Sequence, residues 1–326
     1  MTDEFDDIAR LFRPLTRGAP EALGLLDDAA VIPARPGFDL VVTKDAMVAG
    51  VHFLADDPPE LTARKLLRAN LSDLAAKAAE PYAYFLSVAW PRGFSAEARA
   101  AFAAGLSIDQ TAFGLTLLGG DTVSTPGPLT VSATMLGWVE SGRMVRRGGA
   151  RHGDVVLVTG TIGDGGLGLK AARGELEGLE PEALDYLAGR YRLPEPRNGL
   201  REALANAASA AADVSDGLVA DAGHIGEASG MAIQIDLERI PLSPAARAWV
   251  EAQPSPVRAL AELASAGDDY EVVCTTDMMG AIRLSVACAE AGVALTPVGR
   301  VAAGEGTIAL HRGEPVLMDR TGWRHG

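Results

Sequence analysis

The sequence predicts a two-domain protein of the α/β (α+β) class. Three observations carry this. The chain has 326 residues, more than one ordinary hydrophobic core organises. Short apolar runs alternate with helical segments in both halves, which indicates layered sheets and helices. Near Ser141 the texture changes to SGRMVRRGGARHGD, rich in Gly and Arg. The boundary is set there, giving domains at residues 1–145 and 146–326.

Residues 4–11 read as a short amphipathic helix, followed by a loop and strands at 30–32 and 40–43. A long helix is expected over 58–79, entered through Pro58-Pro59, which suit a first turn because no intrahelical donor is needed there. An apolar strand follows at 84–90, then a helix from 95 to 105 that extends towards 113, then strands at 115–118 and 129–139. In the second half a strand at 155–159 runs into the glycine-rich turn GTIGDGGLG. Helices are expected at 181–189 and 201–212, followed by the turn DVSDG and a helix to about residue 229. Strands at 232–235, 271–275 and 296–301 alternate with a helix at 279–291. No short-period repeat or low-complexity tail is present.

Composition narrows the function. Hydrophobic residues make up 48% of the chain and aromatics 5%, an aliphatic core ordinary for this class. The formal net charge of −14 argues against binding to nucleic acid or to an anionic membrane. It also means that a polyphosphate ligand requires divalent cations between itself and the protein. The two cysteines, Cys274 and Cys288, lack ligand-like spacing, so a disulfide framework, a structural zinc and a thiol nucleophile are not expected. The acidic start MTDEFDDIARLF is unlike a signal peptide, and no apolar run is long enough to span a bilayer. A cytoplasmic location is expected.

Five aspartate-bearing turns stand out, around Asp28, Asp45, Asp121, Asp213 with Asp216, and Asp268. Most sit where a strand meets a loop or helix, and the ends of neighbouring strands lie side by side. Carboxylates there can converge on hard cations such as Mg2+, which take oxygen ligands shared with phosphate. Each turn also has a plain structural reading. Asp-Gly pairs form turns, and Ser215 or Asp216 could simply cap the helix starting at Leu218. Asp73 lies inside the long helix, where it is either a ligand or half of an i,i+4 pair with Lys77 worth about 0.3–0.5 kcal/mol. Gly119-Gly120 reads as a tight turn that lets backbone approach a phosphate. No Walker loop and no protein-kinase signature occurs. The stretch GDGGLG after residue 162 is read as a structural turn, since no acid follows at the distance a dinucleotide fold requires.

Seven segments in this order, LLDDAAVI, TKDAMVAGVHF, NLSDLAAKAAEP, LLGGDTVS, RRGGARHGDVVLVTG, ADVSDGLVAD and AGDDYEV, resemble the thiamine-monophosphate kinases. That family belongs to the superfamily of aminoimidazole ribonucleotide synthetase and selenophosphate synthetase. The resemblance covers residues 27–323. It implies a two-domain fold of the aminoimidazole-ribonucleotide-synthetase type whose N-terminal domains pair through strands into a homodimer. It further implies ATP and thiamine monophosphate as substrates, with several Mg2+ ions. By motif position the metal ligands are Asp28, Thr43, Asp45, Asp73, Asp121, Asp213 and Asp216. The ATP contacts are Gly120, Asp121, Arg147 and Ser215, and the thiamine phosphate contacts are His52, Asp268 and Trp323. No residue acts as general acid or base. Without the resemblance, His52 near a strand end and Trp323 near the terminus also have ordinary structural readings.

This chain departs from the family pattern at three places. Leu26 stands where Gly is usual, Lys44 where Thr or Ser is usual, and Asp268 where Glu is common. Lys44 is expected to replace one metal contact with a fixed positive charge. Selenophosphate synthetase is disfavoured because no Cys precedes Cys274. Two alternatives stay open: a catalytically silent nucleotide- or cation-binding regulator of the same fold, and another ATP-dependent enzyme such as aminoimidazole ribonucleotide synthetase.

Overall fold

The computed structural model describes residues 4–323. It divides into two units, one running to Leu74 and resuming over residues 79–142, the other taking residues 75–78 and the chain from Arg143 onward.

The first unit opens with α1 (Glu4–Asp7) and a turn of π-helix (Ile8–Phe12), then contains β1 (Phe38–Val48), most of α2 (Pro59–Ala76), β2 (Glu80–Pro91), α3 (Ala96–Phe113), β3 (Thr116–Thr125) and β4 (Thr130–Glu140). Its sheet has the order β1-β4-β2-β3, antiparallel except for β2 and β3. Parallel neighbours need a crossover, and α3 supplies it. Ser95 caps α3 by accepting the Ala98 N–H at 3.1 Å, and Gly114 ends it in the left-handed conformation. Strand alternation puts Val41 and Met47 on the buried face of β1, with Leu40, Val42, Lys44 and Ala46 on the exposed one. Leu66, Leu67, Leu71 and Leu74 of α2 are fully buried.

Residues 30–32 are not a strand. They follow a 3-10 segment (Pro20–Leu25), and Ala30 and Ile32 pack as loop residues against a small cluster with Ala83, Leu118 and Leu136. The segment Gly119-Gly120-Asp121 is not a turn either. It lies within β3, after a register shift opposite Tyr84 and Phe85. Gly120 is required there because a Cβ would lie 1.9 Å from the Leu86 carbonyl oxygen.

The second unit contains β5 (Val155–Thr159), α4 (Asp164–Ala172), α5 (Pro181–Arg192), α6 (Arg201–Ala207), β6 (Ala210–Val214), α7 (Leu218–Ser229), β7 (Ala232–Asp236), α8 (Pro244–Glu251), α9 (Pro256–Ala264), β8 (Glu271–Thr276), α10 (Met278–Glu290), β9 (Leu295–Ala302), β10 (Thr307–His311) and β11 (Glu314–Pro315). The strands form one mixed sheet of order β11-β10-β7-β9-β5-β8-β6. The expected helix over 201–212 breaks after Ala207, and Ala210–Val214 is a strand buried along its whole length. Alanine favours a helix locally, but pairing with β8 and burial in the core override it. No helix among the described residues is long and apolar enough to cross a membrane.

A buried polar layer underlies the ends of β5 and β8. The fully buried Glu271 carboxylate accepts Thr159 Oγ1 at 2.7 Å, Arg197 Nε at 2.6 Å and Arg190 at 3.1 Å. Removing one member of such a set strands the other charges. Glu271→Ala is therefore expected to lower stability by about 3–5 kcal/mol, read as a fall in the urea midpoint. An unchanged midpoint would show that this carboxylate is not what secures the layer.

Candidate active site

In the first unit, β1 and α2 bring together one oxygen-rich group. Thr43 and Asp45 share a face of β1 through strand alternation. Asp73 projects from α2 and accepts a hydrogen bond from the Thr43 hydroxyl. Burial, and then the Asp73 charge, push the Asp45 carboxyl up to about 6. Two carboxylates set against each other in a partly desolvated place are held at an electrostatic cost that a divalent cation removes. The donors are hard oxygens, the set that suits Mg2+.

Lys44 does not enter this group. Its side chain leaves the opposite face of β1, where Nζ donates to Ser132 Oγ at 3.0 Å and Thr134 Oγ1 at 3.4 Å. The two-residue period of the strand thus keeps its charge away from Thr43, Asp45 and Asp73 and puts it on the opposite face of the sheet. Leu26 sits at φ −114, a backbone that needs no glycine, and its side chain is exposed.

Asp28, Gly120 and Asp121 line a separate cavity of about 570 Å³ at the β3 edge, with Phe12, Leu25 and Phe85 among its apolar walls. Through β2 and β4, Asp121 shares a register row with Ser87, Ser132 and Ala46, whereas Asp45 is in the row of Ala133 and Leu86. Asp121 and Asp45 therefore belong to opposite sheet faces, and the acids of the first unit form two groups rather than one. His52 lies in the turn after β1. Its Nδ1 accepts the Val48 N–H at 3.1 Å, which leaves the ring proton on Nε2. The buried Lys65 donates to the His52 carbonyl at 3.1 Å and holds the turn.

In the second unit two loops carry the remaining candidates. Asp213, buried, is the last residue but one of β6, and the chain turns through Ser215 and Asp216 into α7. Neither Ser215 nor Asp216 caps α7, whose cap residue is Gly217 without a side-chain bond. The second loop carries Asp268, whose N–H donates to the Ser215 carbonyl at 2.9 Å. Asp268 has φ +67, a left-handed conformation that Asp adopts more readily than most residues. Trp323 is 48% exposed, and its N–H donates to the Asp216 carbonyl at 2.9 Å. Asp216 and Trp323 line a cavity of about 610 Å³ with His224, Glu227 and Thr307. The charge of the exposed Arg147 reaches Asp221 in the same neighbourhood. Arg147, Asp213, Ser215, Asp216, Asp268 and Trp323 thus gather around one pair of loops.

Two acids of this unit were not anticipated as part of the site. Asp221 is buried on the first turn of α7, and Asp269 is buried where it accepts the Gly163 and Gly165 N–H groups at 2.8 and 2.9 Å. Burial, and then the Asp216 charge, push Asp221 up to about 7, and burial raises Asp269 well above the usual carboxylate range. The signal in the sequence is spacing: Asp221 stands four residues after Gly217, where a first-turn side chain folds back over its own helix entrance.

Residues 26–139 match the N-terminal domain of AIR synthase related protein, and residues 151–311 match its C-terminal domain. The chain is 57% identical to a thiamine-monophosphate kinase of Caulobacter vibrioides over 323 residues, covering 99% of this chain and 91% of that protein. It is 38% identical to the thiamine-monophosphate kinase of Escherichia coli K12, covering 99% and 98%. Among solved structures, a thiamine-monophosphate kinase from Stenotrophomonas maltophilia K279a superposes with TM-score 0.84 at 35% identity, covering 96% and 98%. A structure described as AaThiL complexed with AMPPCP and TMP superposes with TM-score 0.78 at 29% identity, covering 99% and 97%.

The grouping of Asp45 with Asp73, and the opposite orientation of Lys44, make a paired prediction for Mn2+ binding followed by paramagnetic resonance. Asp45→Asn should weaken the tightest site by about tenfold or more, and Lys44→Ala should change it by less than about twofold. A larger effect at Lys44 than at Asp45 would reverse the assignment of faces.

Proposed function

The chain belongs to the AIR synthase related proteins, among their thiamine-monophosphate kinases, and from that premise we propose that it moves the γ-phosphoryl group of ATP onto thiamine monophosphate, in line and without a phosphoenzyme. The acceptor already presents an anionic phosphate oxygen as nucleophile. No hydroxyl has to be deprotonated, so no general base is required. The obstacle is repulsion between two phosphates, and phosphoryl transfer is mainly a matter of positioning and charge neutralisation.

Several Mg2+ ions are assigned to Asp28, Thr43, Asp45, Asp73, Asp121, Asp213 and Asp216, and when bound they supply charge neutralisation at the phosphate oxygens. The protein's own part is orientation. Asp73 holds the Thr43 hydroxyl beside Asp45. Contact with ATP is assigned to Gly120, Asp121, Arg147 and Ser215; the planar guanidinium of Arg147 can grip phosphate through two donors. Contact with thiamine monophosphate is assigned to His52, Asp268 and Trp323. His52 offers Nε2–H as a donor, and the Trp323 ring offers a face to the thiazolium cation worth about 0.5–2 kcal/mol.

The observation that carries this reading is the apposition of Asp45 and Asp73 beside Thr43, with Lys44 directed away. A homodimer is part of the proposal. Both edge strands of the first unit's sheet, β1 and β3, are open, and its exposed face carries Leu40, Val42 and Val123. A cytoplasmic location is likewise proposed, as expected for an enzyme that draws on ATP.

The test is an acceptor screen with Mg-ATP comparing thiamine, thiamine monophosphate and aminoimidazole precursors. ATP consumption should depend on thiamine monophosphate and yield thiamine diphosphate. Trp323→Ala should raise KM for thiamine monophosphate by roughly threefold to thirtyfold, and that for ATP much less. Binding of ATP without turnover on any acceptor would overturn the kinase reading, and equal KM effects would remove Trp323 from the acceptor site.

A further inference from the structure

We propose that Asp221 is a positioning residue: its buried carboxylate fills the amide nest of the loop at residues 213–217 and thereby sets the orientation of Ser215, Asp216, Asp268 and Trp323. The inference rests on the functional reading above and adds to it a residue that touches none of the substrates.

Asp221 is 1% exposed. Its Oδ2 accepts three successive backbone N–H groups, those of Ser215 at 3.1 Å, Asp216 at 3.0 Å and Gly217 at 3.1 Å. Consecutive amides converging on one point form a concavity that binds anions. Here the anion is provided by the chain itself, from the first turn of the helix that the loop enters. The nest is therefore closed to phosphate, and the loop meets its ligands through side chains, the Ser215 hydroxyl and the Asp216 carboxylate.

The loop's carbonyl groups are engaged as fully as its amides. The Ser215 carbonyl accepts the Asp268 N–H, and the Asp216 carbonyl accepts the Trp323 N–H, both at 2.9 Å. So the donors of this turn are fixed by Asp221, and its acceptors fix the two residues of this unit assigned to the thiamine phosphate. There is little slack in between. Gly217 has φ +124, and a Cβ on it would come within 2.9 Å of Ser265 backbone; a Cβ on Gly267 would lie 2.5 Å from the Ser215 carbonyl oxygen. A shift of the loop is thus transmitted to Asp268 and Trp323 through backbone. Holding a carboxylate in a buried place next to Asp216 is costly, and a neutral Ser or Asn cap would avoid that cost if closing the helix entrance were the only task.

The test compares Asp221→Ala, Asp221→Asn and the wild-type chain, assayed with Mg-ATP and thiamine monophosphate and titrated with inorganic phosphate by calorimetry. With the nest emptied, Asp221→Ala should lose about tenfold to a hundredfold in kcat, raise KM for thiamine monophosphate more than that for ATP, and bind inorganic phosphate that the wild-type chain does not bind at the same place. Formate, small enough to refill the nest, should restore activity to Asp221→Ala and leave the wild type unaffected. Asp221→Asn, which keeps an acceptor oxygen, should stay within about tenfold of wild type. If Asp221→Ala does not fold, Asp221→Ser, which can satisfy one amide, carries the same expectations for kcat, formate and phosphate. Wild-type kcat and KM in the Ala or Ser variant would overturn the inference. So would a loss that neither formate nor Asn relieves, with no phosphate uptake, since Asp221 would then serve folding alone. A wild-type chain inactive on thiamine monophosphate would instead sink the functional reading, while phosphate uptake by the variants would still decide the role of Asp221.

Discussion

Carboxylates that repel one another are the constraint on which the rest of this structure depends. Two unit charges 4 Å apart interact by roughly 4 kcal/mol at an effective dielectric of 20, so each close pair needs a counter-charge or a converging set of donors. The chain meets this need in two ways. Glu271 is faced by Arg190 and Arg197, and Asp109 by Arg64 and Arg68. Asp221 and Asp269 are faced by backbone N–H groups. Those acids are satisfied from within and belong to the fold. Asp45 and Asp73 are set beside each other and beside Thr43, with the cationic Lys44 on the other face. That difference separates acids matched by cations or amides from a pair of carboxylates set against each other.

Within the second unit, tight backbone contacts tie the candidate site to acids that are satisfied from within. The loop that presents Asp213, Ser215 and Asp216 is gripped from inside by Asp221 and from outside by the backbone of Asp268 and Trp323. The glycine turn at the entrance of α4 is gripped by Asp269, the residue after Asp268. Phosphoryl transfer gains from groups that do not reorganise as charge moves, and the buried Asp221 and Asp269 carboxyl groups each fix two or more loop amides.

Much of this was legible in the sequence because it depends on short-range pattern. Ser95 before an alanine-rich run marked the start of α3, and strand alternation in TKDAMV could have placed Thr43 and Asp45 on one face with Lys44 on the other. The misreadings arise where tertiary pairing overrides local preference. Ala210–Val214 looks helical in isolation, yet lies buried beside β8. Gly119-Gly120 looks like a turn, yet both lie within β3, where Gly120 allows close approach to the Leu86 carbonyl. The separation of Asp121 from Asp45 depends on register across four strands, which composition and spacing do not encode. Asp221 is marked in the sequence only by its spacing from Gly217, because its partners are backbone amides rather than side chains.

The most direct measurement is anomalous diffraction from crystals grown with Mn2+ and a non-hydrolysable ATP analogue. A manganese peak coordinated by Asp45 and Asp73 oxygens is expected, with Lys44 Nζ still turned to Ser132 and Thr134. Manganese bound elsewhere only, with Asp45 and Asp73 neutralised by a lysine or arginine side chain or by a shared proton, would contradict it.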